Sequence, residues 1–205
     1  MPESRVAPLP EVSELQSTLK EIMSQAGIEN LVREFSINAE RAAATVERVQ
    51  ADAESVHRAL LRATAGAPAV LVAPPVGLPS GLLNRFLEDR KVITAPSGDE
   101  LKTVRLGVTE AFCGVASTGS VCVSLTEGLA GPISMLTRKH IVLLDARAIV
   151  PRPRDLFSPT QGSGKAPGNS SCCFTFITGP SATADMGPLV RGVHGPGQLH
   201  IILLG

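Results

Sequence analysis

From Ala69 onward, short apolar runs alternate with brief polar stretches rich in glycine and proline. PAVLVAPP is an apolar run closed by prolines and predicts a buried strand. GLLNRFLED predicts a short helix and RKVIT a strand. Ser97-Gly98-Asp99-Glu100 has the form of a capping box and opens a helical turn. TVRLGVTEA predicts a strand whose end delivers Thr109 and Glu110. VASTGSVCVSL turns through Thr118-Gly119-Ser120 into another strand. RKHIVLLDARAIV predicts a strand ending near Asp145, CCFTFITGP one ending at Thr178, and LHIILLG the last. Strands that read as continuous apolar runs and alternate with short helices predict an α/β fold. Its sheet is mostly parallel and carries helices on both faces. Ligands of such sheets sit outside the carboxyl ends of the strands.

The first third of the chain has a different pattern. Residues 1–10 carry Pro2, Pro8 and Pro10 and predict a mobile tail. Residues 11–26 place Leu15, Leu19 and Ile22 on one helical side, and Gly27 ends that pattern. A longer helix is predicted from about Asn38 to Thr64, because Val46, Val49, Ala53, Val56 and Leu60 hold one helical face. The organisation read from this is a tail and N-terminal helical arm over 1–64 and an α/β domain over 65–205. The arm packs either on its own domain or on a partner chain; the second case makes a homo-oligomer through the N-terminal helices.

Composition narrows the function classes. Hydrophobic residues make up 43% of the 205, enough for a core, and 19 basic residues balance 19 acidic ones. Neither nucleic acid nor an anionic membrane is favoured as a partner by a neutral chain. Aromatics are 3%, with no Trp or Tyr, so base-stacking platforms are missing too. The opening MPESRVAPLPEVSEL has no apolar leader, and no run of about 18 apolar residues occurs, so a cytoplasmic protein without a membrane span is expected. The cysteines are Cys113, Cys122, Cys172 and Cys173, with no CxxC pair. They read as buried thiols, with no metal and no cofactor held by this chain.

Several motifs fail on inspection. GSGKAPG lacks the first glycine and the final Ser or Thr of a phosphate loop. It lies in the element-free stretch 151–171, which sets Arg152, Arg154 and Lys165 against Asp155. That stretch is either a solvated loop or a basic flap over an anionic ligand. His140 and His200, inside apolar strands, read as structural imidazoles. What remains is a set of strand ends: Thr109-Glu110, Ser117 to Ser120, Thr178 to Asp185, and Gly192 to Pro196. Glycine lets backbone N–H groups approach an oxygen, and hydroxyls add donors, so these turns suit a carboxylate or phosphate. The ligand-binding candidates are Glu110, Thr118, Gly119, Ser120, Thr178, Gly179, Ser181, Thr183 and Gly195. Asp185 and His194 are the catalytic candidates, His194 because an imidazole titrates near neutrality and sits between rigid turn residues.

TGPSATADMGPLVRGVHGPGQLHIILL resembles the C-terminal signature of the lactate utilization protein C family, or LUD domain: a TGPS-x-TAD turn, a GxHGP turn and an LH-led strand. GVTEAFCGVASTGSVCVS resembles the family's central segment. The resemblance implies a fold related to the ribose-5-phosphate isomerase, glucosamine-6-phosphate deaminase and CoA transferase superfamily. It implies a part in oxidising L-lactate to pyruvate with two iron–sulfur partner proteins, whose clusters supply the redox cofactors. It also points to Thr118, Gly119, Ser120, Thr178, Gly179, Ser181, Thr183, Asp185, His194 and Gly195 as the site. Two positions depart from the family pattern: Ser117 replaces an acid and Ala182 a base, and Glu110 or Arg191 is a possible substitute. Two alternatives stand beside the lactate reading: an autonomous isomerase- or transferase-like enzyme on a phosphorylated or CoA-linked substrate, and a structural or regulatory module with a vestigial pocket.

Overall fold

A computed structural model describes residues 12–89, 91–125, 128–157, 173–183 and 190–205. The helices are α1 (Val12–Arg41), α2 (Ala53–Ala63), α3 (Asn84–Leu87), α4 (Gly98–Thr103) and α5 (Ala130–Leu136). The strands are β1 (Thr45–Val49), β2 (Val70–Val72), β3 (Val92–Ile93), β4 (Leu106–Ala111), β5 (Cys113–Val115) and β6 (Ser120–Ser124). They continue with β7 (Lys139–Asp145), β8 (Ile149–Val150), β9 (Phe174–Ile177), β10 (Ala182–Thr183), β11 (Val190–Arg191) and β12 (Gln198–Leu204). The tail 1–10, most of the stretch 151–171 with Lys165, Cys172 and Asp185 lie outside the described residues.

Six strands form one sheet in the order β1-β12-β7-β4-β2-β3, and every pairing in it is parallel. Alternate residues of the central strands serve opposite faces. Ile141, Leu143, Ile202 and Leu204 pack with Val56 and Leu60 of α2 and Phe86 of α3. Val142, Leu144, Ile201 and Leu203 pack with Val32, Phe35 and Ala39 of α1 and with Val121 and Val123 of β6. Ile133 of α5 covers Leu71 on β2. These side chains are fully buried or nearly so, each burial contributing roughly 1.5–3 kcal/mol before entropy is counted. The expected mostly parallel α/β sheet, helices on both faces, is thus the observed architecture.

A smaller sheet, β8-β5-β6-β9, lies beside α1. The chain enters it through a bulge at Phe112, whose N–H donates to the Cys122 carbonyl while Cys113 is the register partner of Cys122. Its outer side holds Cys113, Val115, Cys122 and Val150 under Phe112, Leu156 and Phe174.

The N-terminal elements depart from the sequence reading in two places. Gly27 does not end the first helix, which runs on to Arg41. A mid-helix glycine costs only about 1 kcal/mol, and the next turns bury Val32, Phe35 and Ala39. The helix expected from Asn38 to Thr64 is broken by β1, which pairs in parallel with β12 at the sheet edge. The break lies at Ala43, in the left-handed region at φ 66, with Ala44 N–H donating to Ala39 O and Ala43 N–H to Glu40 O. This is a Schellman-type end with alanine where glycine is usual. A new helix starts at Asp52, whose carboxylate accepts from the Ser55 N–H at 2.8 Å. The segment read as an arm therefore gives the sheet an edge strand. The capping box at Ser97 and Glu100 is present as expected.

Candidate functional site

Chain direction reverses between two neighbouring strands. From β2 the chain moves outward to β3, whereas from β4 it proceeds the other way to β7. The carboxyl ends of β2 and β4 therefore border a topological switch point, where open parallel sheets bind their ligands. Glu110 stands at that end of β4, on the face of Leu106 and Val108. Its carboxylate accepts the N–H groups of Val76, at 2.7 Å, and Gly77, at 3.0 and 3.1 Å. Those amides belong to the loop that follows β2. A Cβ at Gly77 would lie 2.7 Å from Glu110 Oε1, so a larger residue there would displace the carboxylate. Beside this crook the Val76 side chain is 97% exposed. Sequence reasoning had marked Glu110 but missed Val76 and Gly77; the signal was a Pro-Pro-Val-Gly turn directly after a buried strand.

Two adjacent amides that grip a carboxylate contribute charge-assisted bonds worth more than neutral ones. Glu110→Gln keeps the shape but turns an amide donor toward a donor. We expect it to lower stability by about 1 kcal/mol in urea unfolding and to speed hydrogen exchange at Val76 and Gly77. Unchanged exchange at both amides would contradict the assignment.

The hydroxyl-bearing turns lie elsewhere. Thr118 Oγ1, Ser120 Oγ and Thr178 Oγ1 form a chain with links of 2.7 Å, Ser120 being buried. Gly119 and Gly179 have φ of 65 and 75 and abut the C-terminal turn of α1. A Cβ on Gly179 would lie 1.9 Å from the Ala42 carbonyl oxygen. In this structure both glycines serve the close approach of a helix backbone, and the helix end beside them carries carbonyl oxygens, which disfavour an anion. Asn38 Nδ2 ties the same helix to the Ala116 carbonyl at 2.9 Å.

A third group precedes β12. Ser181 N–H donates to the Pro196 carbonyl at 2.8 Å, Gly192 N–H donates to the Ser181 carbonyl at 2.9 Å, and Gly195 packs on the Ser181 side chain. His194 is exposed in this loop, and Thr183 pairs with Val190. Arg191 is the register partner of Ala182, so the proposed substitute stands directly across from the departed base. Because β12 starts here and β4 ends at Glu110, the parallel sheet sets His194 and Glu110 at opposite edges. The structure thus sorts the candidates into three groups.

The two suspected structural histidines are held as such. His140 is fully buried, and its Nε2 shares a hydrogen bond with Thr109 Oγ1 at 2.8 Å. His200 Nδ1 bonds Thr45 Oγ1 at 2.7 Å. Among the described residues no group of three or more His, Cys, Asp or Glu could hold a metal ion, and no helix is long and apolar enough to cross a membrane.

A doubly wound α/β protein, with a side sheet and a carboxylate gripped at its switch point, is the class these features define. The chain belongs to the LUD domain family, whose model matches residues 9–204. It is 36% identical over 97 residues to lactate utilization protein C 1 of Bacillus mycoides (strain KBAB4), covering 46% of this chain and 41% of that protein. It is 30% identical over 103 residues to lactate utilization protein C of Bacillus subtilis (strain 168), covering 48% and 42%. The matches therefore span about two fifths of the length of these curated relatives. The crystal structure of a DUF162 family protein from Deinococcus radiodurans shares the fold, with a TM-score of 0.61 and 20% identity over 87% of this chain and 98% of that one.

Proposed function

We propose that this chain serves L-lactate utilization as a carboxylate-binding subunit of a lactate-oxidising assembly in the cytoplasm. The observation that carries the reading is the Glu110 carboxylate held by the Val76 and Gly77 amides at the switch-point crevice. Backbone at this place already selects a carboxylate, and relatives named for lactate utilization indicate which one. A lactate carboxylate takes the two amides, and the displaced Glu110 turns toward the substrate, where it can accept the hydroxyl proton. Oxidation of lactate to pyruvate releases two electrons and two protons. Iron–sulfur clusters in partner proteins would take up the electrons; Glu110 would hold the hydroxyl proton and solvent at the crevice would take the second, while His194, at the opposite edge of the sheet, has no part in this step.

The test is purification of the tagged chain from its native cells, followed by an assay of L-lactate-dependent dye reduction. Activity is expected to travel with co-purifying iron–sulfur proteins and to fall at least about tenfold in Glu110→Gln. A clean single band without lactate-dependent reduction, or full activity in that variant, would remove the reading.

A further inference from the structure

A concavity opens at the amino ends of the parallel strands, the edge opposite Glu110. It measures about 780 Å³. Arg105 and Leu106 at the start of β4, Arg138 and Lys139 at the start of β7, and Gln198 at the start of β12 line it, together with Arg191 of β11. Adjacency of β4 and β7 brings the first cations together: the Arg138 and Lys139 N–H groups both donate to the Arg105 carbonyl, at 2.8 and 3.0 Å. The remaining wall is made by Ala65 to Ala69, Thr103, Val104, Gly192 and Gly197. These residues are too small to fill the space, and none is acidic.

Four cations around a hollow with no carboxylate among its described lining residues are a local excess in a chain whose net charge is zero. Part of it has an internal use. Lys139 Nζ donates to the Ala63 carbonyl at 2.6 Å, answering the C-terminal carbonyls of α2. Arg105, Arg138 and Arg191 make no ion pair or side-chain hydrogen bond with any described residue. Three guanidiniums from three strand ends call for a ligand with oxyanions at more than one point, since a single carboxylate engages one fork. The volume exceeds what lactate or pyruvate fills and falls in the range of sites for larger organic ligands. A concave floor of small residues suits a small molecule better than a flat protein surface.

We infer that this cleft binds a diphosphate-bearing small molecule through Arg105, Arg138 and Arg191, at a site separate from the proposed carboxylate crevice. The phosphoryl oxygens take the guanidinium forks, and the organic part rests along Ala65 to Ala69. This inference goes beyond the lactate reading and does not need it.

Calorimetric titration of the purified chain at low salt tests it, with pyrophosphate and ADP as probes and citrate and L-lactate as comparisons. Pyrophosphate and ADP are expected to bind below about 1 mM, with affinity falling as salt rises. The Arg105→Ala, Arg138→Ala double variant removes two exposed side chains and is expected to keep its melting temperature while losing at least about tenfold in affinity. Glu110→Gln is expected to bind pyrophosphate as the parent does, which separates this site from the lactate reading. No binding by either phosphate probe would overturn the inference. So would equal binding by citrate, or unchanged affinity in the folded double variant. Should the double variant unfold, Arg191→Ala alone decides: undiminished affinity there also overturns it.

Discussion

Replacing Gly119 by alanine is expected to destabilise the protein by roughly 2–5 kcal/mol, the sum of a left-handed backbone cost and an overpacking cost. Gly119 has φ 65, where an L side chain costs about 1–2 kcal/mol. The added Cβ would lie 2.1 Å from the Ala39 nitrogen and 2.4 Å from the Asn38 carbonyl carbon. Both are backbone atoms inside α1, so no rotamer change relieves the clash, and either the hairpin or the helix has to move. Movement of the helix exposes Phe35 and Ala39, which are fully buried against the sheet. Gly66→Ala is the control. Gly66 has φ 75 but nothing within 4 Å of its would-be Cβ. It should cost only the backbone part, about 1–2 kcal/mol. Urea unfolding of both variants measures the difference. Equal losses would mean that the approach of the β5–β6 turn to α1 contributes nothing.

That contact also marks a limit of what the sequence makes legible. Strands after Ala69 are readable because a parallel strand covered on both faces is a continuous apolar run, as KHIVLLD and LHIILL are. The stretch 45–63 is not, because Val46 and Val49 followed by Ala53, Val56 and Leu60 fit one helical face as well as they fit a strand and then a helix. The deciding features are an alanine at a left-handed helix end, which has no sequence signature, and the Asp52 cap, which does. For the site, the residue types were legible and their neighbourhoods were not. Thr-Gly at 118–119 and at 178–179 reads as an anion turn, yet the same chemistry permits a helix to pass within contact distance. Which edge of the sheet a turn occupies follows from strand direction, so Glu110 and His194 separate although both sit at strand ends. Arg105 and Arg138-Lys139 look like ordinary polar residues before apolar strands. They become a cluster only because β4 and β7 are neighbours, with Leu106 opposite Lys139.

Acidification from pH 7 to 5 is expected to remove about 2 kcal/mol of stability through His140 alone. The imidazole is completely buried between sheet and helices, its Nε2 is bonded to Thr109, and its Nδ1 has no partner. Burial pushes its pKa down to about 3 from an ordinary 6.5. The unfolded chain then binds the proton first as pH falls. Stability is therefore complete above about 6.5 and drains away as the pH drops toward the folded value near 3, on the order of 5 kcal/mol over the whole window. His200 adds a smaller loss of the same sign, because desolvation lowers its pKa as well. Asp52, Glu100 and Asp145 have lowered carboxylate pKa values, so their losses fall at more acidic pH, below the interval from 7 to 5. Urea unfolding at several pH values for the parent, His140→Gln and His200→Gln separates these parts. His140→Gln keeps a group that can bond Thr109 but cannot titrate. Its stability at pH 7 should fall, while most of the change between pH 7 and 5 disappears. His200→Gln should retain most of that change. A parent slope that survives in His140→Gln would mean that the folded protein takes up a proton at this site, which a fully enclosed imidazole with one polar neighbour gives it no means to solvate.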